Sequence, residues 1–342
     1  MIINYTIMNK TLYDLYLDVI RKGIWKYYPM SKIDASILQD SGLGRGFITN
    51  YLGKGEKNDM EIFHYINELD ENRVLHIISV FFLGFLLYQN CEKVNREINR
   101  LIQTIPAETN EPPEERFKYI WMLICLFHDF GYAVEDGFIA FEKQDFEKYM
   151  KALPRKPKSI PDVYSKKLLK QYNKFRKCRF GKNDHGIVGG IKLFSDLCSL
   201  REEKEGTDRK HYWGKLLEND FCIASWTIAC HNIYFINKSD RNIHCYRHFK
   251  LDKLVYNDQS RAIQINKAPF LFLFCLVDSI EPLKKVFDIK KLKDISLDFD
   301  KGSITLGYDK LCPVVYEDYK RTILNLNDWL TDISNDGTKI SL

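Results

Sequence analysis

The chain has 342 residues, 45% of them hydrophobic and 28% charged, with a formal net charge of +5 at neutral pH. This is ordinary globular composition, long enough for a substantial core, and its mild charge does not by itself announce a nucleic-acid binder. Nine cysteines without a C-x-x-C pair exclude zinc ribbons and zinc fingers and argue against a disulfide framework, favouring a reducing compartment.

The start, Met-Ile-Ile-Asn-Tyr-Thr-Ile-Met, has no basic region followed by an apolar core, unlike a signal peptide. The longest apolar runs, Ile77–Tyr88 and Ala268–Val277, read as too short to span a bilayer. The expectation is a soluble cytoplasmic protein with no membrane partner.

Residues 1–70 alternate amphipathic helical pieces with polar turns. Leu12, Leu15, Tyr16, Val19 and Ile20 are helix-spaced, with Gly23 as a stop. The glycine-rich Ser41–Gly46 lacks a preceding strand and a Lys-Ser/Thr ending, so it reads as a turn and not a phosphate loop. A faint helix-turn-helix cadence runs through Ile37, Leu38, Leu43, Ile48 and Leu52. Next, His76–Tyr88 is hydrophobic all round and reads as a core helix with His76 near its start. Glu92–Glu115 is polar and reads as a helix followed by a proline-containing loop.

Trp121–Phe127 is an apolar run that ends abruptly in His128-Asp129, with Gly131 placed for a left-handed cap. An ionisable pair at the end of a buried helix is costly unless compensated, and a metal ion would compensate it. Residues 138–184 differ in character. Between Lys151 and Lys182 lie twelve Lys or Arg and a single acid, Asp162, and Tyr164–Arg179 reads as a basic helix. Such a run is a solvated face or an electropositive rim for phosphate esters.

His185 starts a helix capped by Asn183 or Asp184, in which Gly186, Gly189 and Gly190 suggest close approach of a neighbouring helix. Phe221–His231 is another apolar helix ending in histidine. Pro269–Ile280 is a core helix interrupted by Asp278, with Pro282 past its end. Ile295–Tyr308 alternates around Asp300-Lys-Gly302, a hairpin pattern, and Val315–Leu330 reads as a closing amphipathic helix.

Five apolar helices thus each present an ionisable metal-ligand type: His76, His128 with Asp129, His185, His231 and Asp278. Asp278 has no basic residue one helical turn away, so it needs a partner elsewhere in the fold. Imidazole and carboxylate without thiolate suit Mn, Fe, Co, Ni, Zn or Mg.

This order resembles the HD superfamily of metal-dependent phosphohydrolases, whose pattern is H…HD…D with two further histidines in many members. The resemblance covers about residues 73–283, carried by Leu-Phe-His-Asp-Phe-Gly-Tyr and Leu-Val-Asp. It departs in having Tyr132 where many members carry lysine, and in the long gaps His76–His128 and Asp129–His185. The resemblance implies a mostly α fold: an HD-type helical core over 71–285 with the basic insertion, a helical extension over 1–70, and a small C-terminal β-hairpin with a helix over 286–342. It implies one or two divalent metals held by His76, His128, Asp129 and Asp278, with Asp129 bridging to His185 and His231. In a one-metal version His185 and His231 bind phosphate or shuttle protons.

Neighbouring candidates are Glu135, to orient water or a ligand, and Lys182, Tyr132 and Asn232 as substrate contacts. The implied function is hydrolysis of a phosphate ester, foremost a nucleotide, by metal-activated water. Two alternatives remain open. One is a metal-dependent nuclease in which the basic insertion, with Tyr164, Tyr172, Phe175 and Phe180, tracks a single strand. The other is a non-catalytic nucleotide-binding regulator.

Overall fold

The computed structural model describes residues 10–22, 71–107, 112–135, 140–207, 213–256, 262–286, 289–300, 302–326 and 329–342. The fold is mostly helical, with a short parallel pair, β1 (Ile236–Asn237) beside β2 (Val255–Tyr256), and a small antiparallel sheet near the C-terminus. In chain order the helices are α1 (Leu12–Lys22), α2 (Glu71–Asn90), α3 (Glu92–Thr104), α4 (Pro113–Phe127), α5 (Tyr132–Glu135), α6 (Lys143–Ala152), α7 (Lys166–Phe180), α8 (His185–Lys204), α9 (Glu218–His231), α10 (Ile243–His248), α11 (Pro269–Ile280), α12 (Leu283–Val286) and α13 (Pro313–Leu324). Of the expectations for the N-terminal region, the Gly23 stop, the Ser41–Gly46 turn and the helix-turn-helix cadence lie outside the described residues.

The chain divides into two compact units, residues 1–99 with 273–342, and residues 100–272.

In the first unit, α1 opens with a reciprocal cap. The Thr11 hydroxyl accepts from the Asp14 amide and the Asp14 carboxylate accepts from the Thr11 amide, both at 3.2 Å. Its buried face packs on α2, where the Tyr16 hydroxyl donates to the Ser79 carbonyl at 3.1 Å. α2 is buried on every side through most of its length, as expected for an all-round apolar helix. Contrary to the expectation, it is long and apolar enough to cross a membrane by length and composition, because regular helix extends beyond the apolar run at its start. Most of it is buried within the protein, as in a core helix. The expected hairpin forms between β3 (Ser296–Asp300) and β4 (Ser303–Gly307), closed by the Asp300–Ser303 pair. Two short strands that the pattern did not reveal, β5 (Asp332–Ile333) and β6 (Lys339–Ser341), extend it to the order β3-β4-β6-β5. α13 begins two residues earlier than expected, with Pro313 in its first turn, and stops at Leu324.

In the second unit, α4 is buried from Arg116 to Phe127 apart from Tyr119. The Arg116 guanidinium clamps α4 to α9, its Nε donating to Asp220 at 2.9 Å and its Nη1 to the Ile105 carbonyl at 2.8 Å. A buried Arg–Asp pair is tolerable only when the remaining donors are also satisfied, and backbone carbonyls do that here. The basic segment folds as α6, a proline-broken connection and α7. Ser165 caps α7 by accepting from the Leu168 amide at 3.1 Å, and Gly181 ends it in the left-handed region at φ 73°. Leu168, Leu169, Tyr172 and Phe175 form the buried face of α7. This corrects the expectation that Tyr164, Tyr172 and Phe175 could stack against a nucleic-acid strand. All three are core residues, and of the four aromatics only Phe180 is exposed, at 55%.

Candidate functional site

The His128-Asp129 doublet sits where α4 gives way to tight turns. His128 still closes a helical bond to the Ile124 carbonyl, and Phe130 and Tyr132 bond back three residues to Phe127 and Asp129. Gly131 is not in a left-handed conformation, so the expected cap is absent. Its role is clearance. A Cβ at Gly131 would lie 1.9 Å from the His185 carbonyl oxygen, so only glycine lets the turn touch the start of α8.

α8 begins at His185 because Asp184 caps it, its Oδ1 accepting from the Ile187 amide at 3.0 Å. The glycines of α8 serve the close approach that the sequence suggested. A Cβ on Gly190 would meet the Ser225 carbonyl at 2.4 Å, and one on Gly186 would meet the His231 ring at 2.9 Å. α8 and α9 therefore lie backbone to backbone, which carries His231, the last residue of α9, against His185. The ring centroids of His185 and His231 are 5.4 Å apart, and those of His128 and His231 are 5.8 Å apart.

The second unit thus gathers His128, Asp129, His185 and His231. His128 and Asp129 are buried, with His128 Nε2 3.2 Å from Asp129 Oδ1. The tautomers of two imidazoles follow from their acceptors. His128 Nδ1 lies 2.7 Å from the Cys125 carbonyl and His231 Nδ1 lies 2.6 Å from the Ile228 carbonyl. A carbonyl only accepts, so each Nδ1 donates to it, and Nε2 is the ring nitrogen left for another partner. His185 differs. Its Nδ1 faces the Asn232 amide nitrogen at 3.5 Å and Glu135 Oε1 at 3.9 Å, and Tyr132 stacks on its ring at 4.0 Å between centroids.

Of the expected neighbours, Tyr132, Glu135 and Asn232 therefore reach this group, whereas Lys182 lies exposed just past the Gly181 stop. Asn232 also donates to Asp184 Oδ2 at 2.8 Å, and Arg176 of α7 approaches the same carboxylate at 3.5 Å. Burial raises the Asp184 carboxyl to about 6, while the Ile187 amide, Arg176 and Asn232 pull it back. Asp184 appeared in the sequence only as a cap, and its link to Asn232 was not legible there.

In the first unit His76 and Asp278 come together, with His76 Nε2 3.3 Å from Asp278 Oδ1. Asp278 has a second partner from beyond its own helix, which spacing within the helix did not reveal. Pro282 ends α11 and turns the chain so that Lys284 Nζ reaches Asp278 Oδ1 at 2.5 Å. Asp278 is also less deeply buried than its apolar neighbours. Sequence reasoning missed Glu281. This carboxylate is almost wholly buried, accepts from His76 Nδ1 at 2.7 Å, and accepts from the backbone amides of Leu283 and Lys284 at 2.8 and 3.1 Å. Burial and Lys284 disfavour protonated His76, but the bonds to Asp278 and Glu281 outweigh them and raise it to about 9. A carboxylate behind Nδ1 fixes the ring so that Nε2 is turned to Asp278, and a carboxylate in that position is a common support for a metal-ligating imidazole.

No protein-family model, curated protein or solved structure matches this chain.

Proposed function

We propose that the protein is a metal-dependent phosphohydrolase of the HD type acting on a phosphate ester, foremost of a nucleotide. The observation that carries this reading is the treatment of the imidazoles. His128 and His231 are each anchored through Nδ1 to a carbonyl, and His76 to the Glu281 carboxylate, so Nε2 is the nitrogen each ring would offer a cation.

The donor set fits a divalent cation of the borderline or hard type, since it offers imidazole nitrogen and carboxylate oxygen without thiolate. His128, Asp129 and His231 would hold it in the second unit. The resemblance adds His185 there and His76 with Asp278 from the first unit. A cation so held supplies Lewis acidity and an acidified water at neutral pH. The chain's own groups do the rest. Asn232 and Glu135 orient His185 through its Nδ1 side, Tyr132 backs the ring, and His185 meets a phosphoryl oxygen or moves a proton through Nε2.

Elemental analysis of the purified protein combined with a panel of nucleotide and other phosphate esters tests the reading. Bound divalent metal and hydrolysis, both lost in His128→Ala and His231→Ala, are expected. Metal-loaded protein inactive across the panel, with His128→Ala unchanged in metal content, would refute it. The metal content of His76→Ala and Asp278→Ala decides whether the wider ligand set of the resemblance applies.

A further inference from the structure

The basic helix α7 divides sharply into two faces. Successive helical residues turn by about 100°, which puts Lys166, Lys167, Lys170, Lys174 and Lys177 on an arc of roughly 100° along three turns. The opposite face, Leu168, Leu169, Tyr172 and Phe175, is core. Lys167, Lys174 and Lys177 are exposed. Among the described residues, the carboxylate paired with this arc is Glu147, which bonds Lys170. The crowding bears on the groups beside it. Glu147 is held below the ordinary carboxylate range by the Lys170 bond first, and then by the charges of Lys170, Lys151 and Lys174. Lys166 is lowered by burial and by its neighbour Lys170. Five like charges on one face repel one another, so the arrangement is unfavourable for the free protein and favourable for a polyanion.

At the C-terminal end of the arc stands Phe180. It is one of the few large apolar side chains on the surface, 55% exposed, and the Arg176 guanidinium lies 4.6 Å from its ring centroid. Arg176 also reaches Asp184, the cap of the helix that starts at His185. The lysine arc therefore ends, through Arg176, at the His185 end of the candidate site. An aromatic face backed by guanidinium next to a cationic track is the arrangement by which single strands are held: backbone on the cations, base on the ring. A membrane surface would want several apolar anchors along the lysines, whereas Phe180 stands singly at the end of the arc.

We propose that the Lys166–Lys177 face of α7 together with Phe180 binds single-stranded nucleic acid, with the phosphodiester backbone along the lysines and a base stacked on Phe180. This deepens the proposed function, in that the substrate becomes a phosphodiester strand and not a free mononucleotide. Strand binding stands apart from that reading; only cleavage of the bound strand rests on it.

The test is fluorescence anisotropy of a labelled oligothymidylate about 20 nucleotides long, titrated with the full chain in EDTA. Binding in the absence of metal separates this inference from the hydrolase reading, because loss of catalysis leaves it untouched. Neutralising five phosphates predicts affinity falling about 100-fold between roughly 50 and 200 mM salt. The triple substitution Lys167→Glu, Lys174→Glu, Lys177→Glu should cut that salt dependence by more than half, and Phe180→Ala should weaken binding about tenfold. All these side chains are exposed, and circular dichroism confirms that the variants fold. Absence of binding at the low-salt end overturns the proposal. So does equal binding of heparin or phosphatidylserine vesicles with no effect of Phe180→Ala, which would mark the face as a general polyanion surface.

Discussion

Gly131 and the His185 carbonyl are in direct backbone contact, so close that a Cβ on Gly131 would lie 1.9 Å from that oxygen. The same is true, less severely, of Gly190 and the Ser225 carbonyl at 2.4 Å. Both obstacles are backbone, which cannot swing aside as a side-chain tip would. Alanine in a helix is worth up to about 1 kcal/mol over glycine, whereas forced overpacking costs about 1–3 kcal/mol. The penalty wins at Gly190 and is unopposed at Gly131. Gly131→Ala and Gly190→Ala should therefore lower the thermal midpoint, while Gly302→Ala, with nothing near its Cβ, should not. Equal midpoints for all three would mean that the helices separate without cost.

Glu281 is the partner to test around His76. It is buried, accepts one imidazole and two amide donors, and favours the protonated ring. Glu281→Gln keeps the shape but removes the charge and replaces one acceptor by a donor. A hydrogen bond to a charged group contributes about 1.5–3 kcal/mol, so a loss of that order is expected in urea unfolding. The His76 titration, followed by ring-proton NMR on metal-free protein, should move down from about 9. An unmoved titration would show that Asp278 alone sets it.

What was legible in the sequence was local. The β3–β4 hairpin followed from strict alternation about a turn, and the Asp184 cap and α8 glycines from residue types with one strong use. What escaped was set by tertiary contact. Strands β5 and β6 have two and three residues, too few to show a period. Lys284 reaches Asp278 only because the chain bends at Pro282, and helical spacing within α11 could not show that. Tyr172 and Phe175 of α7 looked available because charge dominates their segment, yet their spacing places them on the face opposite the lysines. Gly131 was assigned the commoner use of a helix-end glycine, left-handed backbone, when the fold uses its missing side chain.

The cysteines give a check on burial that needs no activity. Cys178 and Cys312 are exposed, while Cys91, Cys125, Cys230 and Cys275 are buried. Burial pushes the thiols of Cys91, Cys198 and Cys222 up to about 12. Because the thiolate is the nucleophile, brief iodoacetamide treatment of the native protein near pH 8 should alkylate Cys178 and Cys312, and Cys91, Cys125, Cys230 and Cys275 only in denaturant. Peptide mass spectrometry reads the order. Rapid labelling of Cys91 in native protein would contradict the packing around the end of α2.

Asp336 allows a pH test at a residue that is not among the proposed ligands. In the turn joining β5 to β6 its Oδ1 accepts from the Ser334 hydroxyl at 2.5 Å, the Thr338 amide at 3.0 Å and the Thr338 hydroxyl at 2.8 Å. Led by the Ser334 bond, these donors lower its carboxyl from the ordinary 3.8 to about 2. The folded value lies below the unfolded one, so the charged carboxylate stabilises the fold above pH 3.8, and that contribution disappears as pH falls through about 2. Asn at this position can still accept, but without charge. Urea midpoints of the wild type and Asp336→Asn should therefore differ most near neutral pH and converge towards pH 2. A gap that stays constant with pH would mean that the turn depends on the shape of this side chain and not on its charge.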